Sequence, residues 1–205
     1  MSKIKRIREN LTRLYNSVPG TIYGLIAFGI SIFAHLIGLL LYPNYDMTTM
    51  TISQLSNGYG GLFYRIGLIS TGIIAIPFCI YLSNSFKKKN RSILLIKYAK
   101  FSSLLYCISL IFIGYFWGPN PLVSFIHGLF ALVAWIDGLI FISLFSILML
   151  KDIKFSKVMA YFGFGIAFTF LLHLLILSTI TQWIMTLSVM VWVWTVSSFM
   201  IYKNI

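Results

Sequence analysis

Residues 62–117, LFYRIGLISTGIIAIPFCIYLSNSFKKKNRSILLIKYAKFSSLLYCISLIFIGYFW, place two long apolar runs on either side of a connection crowded with lysine and arginine. A helix needs about 20 apolar residues to cross a hydrocarbon core of roughly 30 Å, and each run meets that length. One further run of the same kind precedes this stretch and three follow it. The expected spans are 20–42, 62–82, 97–117, 122–150, 158–180 and 182–202, forming one transmembrane domain over 20–202. With 59% hydrophobic residues, 10% charged residues and a mean hydropathy of +0.91, the composition excludes a soluble domain. The fold class is therefore all-α, a polytopic bundle of six transmembrane helices. Pro77 interrupts the second span and should kink it or rely on neighbouring groups.

All but one of the 16 Lys and Arg residues fall at the same ends of these spans. The N-terminal tail, the connection 83–96 with Lys97 and Lys100, the connection 151–157 and Lys203 carry them; 43–61, 118–121 and Thr181 carry none. Arg65 alone breaks the pattern. Basic residues mark the cytoplasmic side, so the expectation is a cell-membrane protein with both termini cytoplasmic. The net charge of +12 then reports topology and attraction to anionic lipids, with no nucleic-acid partner. Residues 1–19 space Ile4, Ile7, Leu11, Leu14 and Val18 at helical intervals among basic residues, which reads as a short amphipathic helix on the inner leaflet. Cys79 and Cys107 lie in different spans without motif spacing and read as structural thiols.

Residues 43–61, PNYDMTTMTISQLSNGYGG, make the one sizeable polar stretch on the side without basic residues. A short helix over Thr51–Leu55 is expected there. The loop is either a lid over an outward-facing pocket or a plain connection between distant helix ends. Ionisable residues inside spans are costly and so are candidates for function. They are His35, Arg65, His127, Asp137 and His173. Helical rise puts His35, His127 and His173 each within about 10 Å of the loop side, with Arg65 a turn inside it.

Three readings of this cluster stand open. His35, His127 and His173 converge as a metal centre with an open position for water, assisted by Ser53 and Asp46, or two of them hold a haem. Alternatively Arg65, His127, Ser53, Asp46 and Asp137 line a pocket for a lipid head group or small amphiphile. In the third reading each histidine makes an interhelical hydrogen bond and Arg65 snorkels to phosphate. Asp137 lies near the midplane, where a lone carboxylate stays protonated or paired. No second intramembrane acid continues a proton path. There is no phosphate-binding glycine loop, nucleophile elbow or paired zinc spacing.

TISQLSNGYGGLFYRIGLISTGIIAIPF (51–78) and IGYFWGPNPLVSFIHGLFALVAW (113–135) resemble, respectively, the first outer loop with second span and a later turn with following helix of an uncharacterised archaeal and bacterial membrane family, domain of unknown function 998. The resemblance covers roughly 20–202 and implies a six-helix bundle with both termini inside. Ser53, Gly67, Gly72 and His127 fall on recurrent positions of that family. Ser56 stands where its first element carries Gly, and Thr181–Gln182 replace a Glu-Arg pair; His35 and His173 match nothing in the pattern. The expectation is a membrane protein, leaning non-catalytic, that binds a lipid or small amphiphile or serves as a subunit of a larger membrane assembly, with itself or other subunits as partners. The alternative is an intramembrane metal-dependent hydrolase, or a haem-binding redox subunit, built on the three histidines.

Overall fold

A computed structural model describes residues 19–86 and 93–205. The amphipathic helix expected before Pro19 lies outside the described residues. Six long helices occupy the rest: α1 (Gly20–Leu40), α2 (Gly61–Ser85), α3 (Ile93–Tyr115), α4 (Pro121–Lys151), α5 (Lys157–Ile176) and α6 (Thr179–Tyr202). All six are long and apolar enough to cross a membrane, and no strand occurs among the described residues. The chain is a multi-pass membrane protein. α2 runs unbroken through Pro77.

Each helix packs against its neighbours in sequence, and α6 returns to α1, so the six close into a ring. Small residues allow the tight approaches. A side chain at Gly67 would meet the Ala34 methyl on α1, and one at Gly72 would stand 2.6 Å from the Cys107 carbonyl on α3. At that α2–α3 seam the Cys79 and Cys107 sulfurs, 28 residues apart, lie 3.8 Å from each other as free thiols. At Gly128 on α4, by contrast, a Cβ would stand in open space.

The last turn on the loop side differs from expectation. Sequence spacing makes Thr181 the whole connection. Instead Leu177 (φ 52°) ends α5 in the left-handed region, and its N–H donates to the His173 carbonyl at 2.8 Å. Ser178 then caps α6. Its hydroxyl accepts from the Thr181 N–H at 3.1 Å while the Thr181 hydroxyl accepts from the Ser178 N–H at 3.2 Å. This reciprocal cap satisfies two N-terminal donors and starts α6 at Thr179, three residues before the expected Gln182.

The ring is filled at one end. Phe86, Phe145, Leu148, Phe155, Trp192 and Met200 form a dense core at the end away from the 43–61 loop. Trp192 is 1% exposed, with Phe141 and Phe145 ring centroids at 5.7 and 6.2 Å. Trp183 is buried beneath the loop, and of the three tryptophans in α6 Trp194 alone is exposed.

Candidate functional site

The 43–61 loop is an ordered cover, tied down by its own sequence. The Asp46 carboxylate accepts from the Thr48 N–H (2.8 Å) and hydroxyl (2.7 Å) and from the Thr49 hydroxyl (3.1 Å), closing a turn. The Tyr45 hydroxyl donates to the Thr51 carbonyl at 2.9 Å and accepts from Trp183 Nε1 at 3.2 Å. The expected helix is a 3₁₀ turn, Ile52–Asn57, whose Gln54 side chain accepts from the Thr51 N–H at 2.6 Å. Ile52 and Leu55 are buried against Tyr64, Leu68 and Trp183. Besides the Tyr45–Trp183 bond, three more join this cover to the ring. The Ile52 N–H donates to Gln182 Oε1 at 3.1 Å, the Thr179 hydroxyl donates to the Thr48 carbonyl at 2.5 Å, and Ser53 Oγ meets His127 Nε2 at 3.1 Å.

The Thr48 amide and hydroxyl hold the Asp46 carboxyl below the ordinary carboxylate value of about 3.9. A depressed carboxylate supports the fold above that ordinary range, and the support is lost as pH falls through the depressed value. Resistance of the loop to chymotrypsin should therefore hold steady down to about pH 5 and weaken only below about pH 4. Asp46→Ala should erase that acid step. A loss of protection already between about pH 7 and 5 would assign the loop's order to another group.

Under the cover the ring lines two partly open cavities, of about 500 and 520 Å³ when the space open to the exterior is counted. The cavity nearer the loop touches all six helices and the 3₁₀ turn; Ser53, Tyr64 and Gln182 supply polar groups, and Ala131, Ala134 and Trp135 part of the apolar wall. The deeper one runs among α1, α2, α3 and α6, past Thr71 and Ala75 to Val193. His35, Leu68, Tyr106, Leu110 and Thr186 border both. From Gln182 to Val193 the helical rise amounts to roughly 16 Å, and over that length the two cavities, sharing five wall residues, lie end to end as a mostly apolar space, the lumen. Its lining residues recur at helical intervals, such as Tyr64, Leu68, Thr71 and Ala75 on α2.

The candidates of the sequence divide sharply. Ser53 borders the lumen, and His127 stands behind it. His127 Nδ1 lies 3.1 and 3.0 Å from the Ile113 and Phe116 carbonyls, and Trp117 meets its ring edge-on at 5.2 Å. His35, 3% exposed, donates from Nδ1 to the Ser31 carbonyl at 2.7 Å. His173 Nδ1 pairs with Thr181 Oγ1 at 2.9 Å, and its ring abuts Trp135 at 4.5 Å. Arg65 borders neither cavity and its Nε is buried without a partner. Asp137 accepts from the Ser102 hydroxyl at 2.6 Å, away from the lumen, and Asp46 serves the loop.

Among the described residues no three His, Cys, Asp or Glu side chains gather in a group that could hold a metal ion. The three histidines thus stay at separate stations, each with at least one ring nitrogen committed to oxygen partners. Each cavity is bordered by one histidine, His35, which leaves no facing imidazole pair for a haem. Tyr64, Tyr106, Gln182 and Thr186 escaped the sequence reading because uncharged residues do not stand out in a span. Their common signal is the helical spacing of Tyr64 with Thr71 and of Gln182 with Thr186.

A family model described as "Protein of unknown function (DUF998)" matches residues 25–198. The chain belongs to that family. The match runs from the first turns of α1 nearly to the end of α6, so this DUF998 protein carries the ring, the cover and the lumen within the family's own extent. No curated protein and no solved structure gives a match to it.

Proposed function

We propose that the protein binds a lipid or other small amphiphile in the lumen of its helix ring, polar end beneath the loop and apolar chain toward Val193. One observation carries this reading. His35 commits Nδ1 as a donor to the Ser31 carbonyl, so Nε2 is an acceptor, and it is buried with no partner at the junction of the two cavities. The Thr71 hydroxyl, on the wall of the deeper cavity, is likewise buried and unpartnered. Leaving such a group unsatisfied costs roughly 1–3 kcal/mol, which a ligand hydroxyl, amide or acid proton would recover. The apolar remainder of the lumen suits a hydrocarbon chain better than water.

The lysine and arginine bias supports the orientation: both termini in the cytoplasm of the cell, the covered mouth on the opposite side of the membrane. Lipids of the outer leaflet would then be the source of the ligand.

Native mass spectrometry of protein released from lipid nanodiscs tests the binding. The wild type should retain one amphiphile through collisional stripping that removes surface lipids. Thr186→Trp, which fills the junction, should lose it while keeping a folded circular-dichroism spectrum, and His35→Phe should weaken its retention by roughly tenfold, one lost hydrogen bond's worth. Wild-type protein that strips bare as readily as Thr186→Trp would refute the reading.

A further inference from the structure

We infer that Ser53 and His127 form a nucleophile–base pair that transfers the acyl group of a long-chain ester held in the lumen; this rests on the amphiphile reading above. The hydrogen bonding at His127 decides the roles. The partners of Nδ1 are the Ile113 and Phe116 carbonyls, which only accept, so Nδ1 carries the ring proton. Nε2 therefore presents a lone pair, and the Ser53 hydroxyl, 3.1 Å away, donates to it. A serine hydroxyl aimed at an imidazole whose far nitrogen is fixed by a third group is the arrangement that activates a weak nucleophile.

The third group here is the end of a helix. α3 stops at Tyr115, so the Ile113 and Phe116 carbonyls belong to the terminus where acceptors are left over and the helix dipole is negative. They fix the tautomer and favour positive charge on the ring as it takes a proton, the part a carboxylate plays in a triad. The Trp117 ring limits the tilt of the imidazole.

Placement supplies the substrate class. Ser53 stands on the wall of the loop-side cavity, and the lumen runs down from it past His35. An ester of a long-chain acid with its chain in the lumen has its carbonyl at the mouth, beside Ser53, and a hydroxyl or amide N–H on that chain meets His35 Nε2. Ser53 Oγ attacks the carbonyl carbon and its proton passes to His127 Nε2. The bond to the alcohol breaks, and His127 returns that proton to the departing alkoxide. Water, deprotonated by His127, then cleaves the acyl–Ser53 ester, releasing the acid and restoring the hydroxyl. The same hydrogen bond ties the loop to α4, so the test must separate chemistry from anchoring.

The full chain in nanodiscs is treated with a long-chain alkyl fluorophosphonate, which forms a stable phosphonyl-serine with loss of fluoride. One adduct per chain, mapped to Ser53, is expected; Ser53→Ala should give none and His127→Gln should label at least tenfold more slowly. Ser53→Cys provides a second reading: its alkylation by iodoacetamide, located by peptide mapping, should slow at least tenfold when His127→Gln is added. Equal alkylation rates with and without His127, or an unlabelled Ser53 in protein that still carries its amphiphile, would overturn the pair and leave the binding reading standing. Protein devoid of amphiphile by native mass spectrometry would instead remove the binding reading.

Discussion

Trp192→Ala should destabilise the protein by about 3–5 kcal/mol, the range for removing a large buried aromatic side chain. The side chain is 1% exposed and meets Phe141 and Phe145, so its loss leaves a hole that rigid neighbours cannot close. Association of helices in a bilayer rests on packing rather than on exclusion of water, which makes such a hole costly. Trp192 Nε1 has no hydrogen-bond partner, so Trp192→Phe forfeits contact area alone and should cost clearly less. Equilibrium unfolding in mixed detergent micelles checks both variants. A Trp192→Ala penalty under about 1 kcal/mol would mean that the floor of the lumen is not packed as described.

The second large effect belongs to the cover. Gly61→Ala should unseat the loop, because the added carbon would fall on the carbonyl group of Ser56. That obstacle is backbone, and a hydrogen bond from the Gly61 N–H to the Gly58 carbonyl at 2.8 Å holds the turn in place. A cost of about 1–3 kcal/mol is expected, with the 3₁₀ turn displaced and Ser53 drawn away from His127. Gly29→Ala on α1 is the control, because its added carbon would stand in open space. Chymotryptic cleavage within 43–61 should quicken strongly for Gly61→Ala and little for Gly29→Ala. Equal protection in the two variants would contradict the seating of the loop.

The six spans were legible because bilayer thickness sets a minimum apolar length and the basic residues punctuate it. Closure of the ring was not. Lipid and lumen are both apolar, so the helices show no strong polarity contrast that tells the inner face from the outer one. Charge also misdirected attention. Arg65 and Asp137 stand out in a membrane segment, yet Arg65 borders neither cavity and Asp137 settles on Ser102. Ser53 and His127 were each visible as candidates, but they are 74 residues apart and nothing local links them. Their pairing depends on where the 3₁₀ turn lands, which the Ile52–Gln182 bond across 130 residues helps to set. The outer turn shifted for a local reason, since the Ser178–Thr181 cap was readable as Ser-x-x-Thr but is weaker than the usual Ser-x-x-Glu signal.

An experimental map of the protein in lipid nanodiscs, at a resolution that shows side chains, is the most direct trial of the lumen. Elongated non-protein density should run from Ser53 past His35 and Thr186 toward Val193, with a polar end within hydrogen-bonding distance of His35 Nε2. Side chains of α1, α3 and α6 closed upon one another, with no space between His35 and Tyr106, would contradict it.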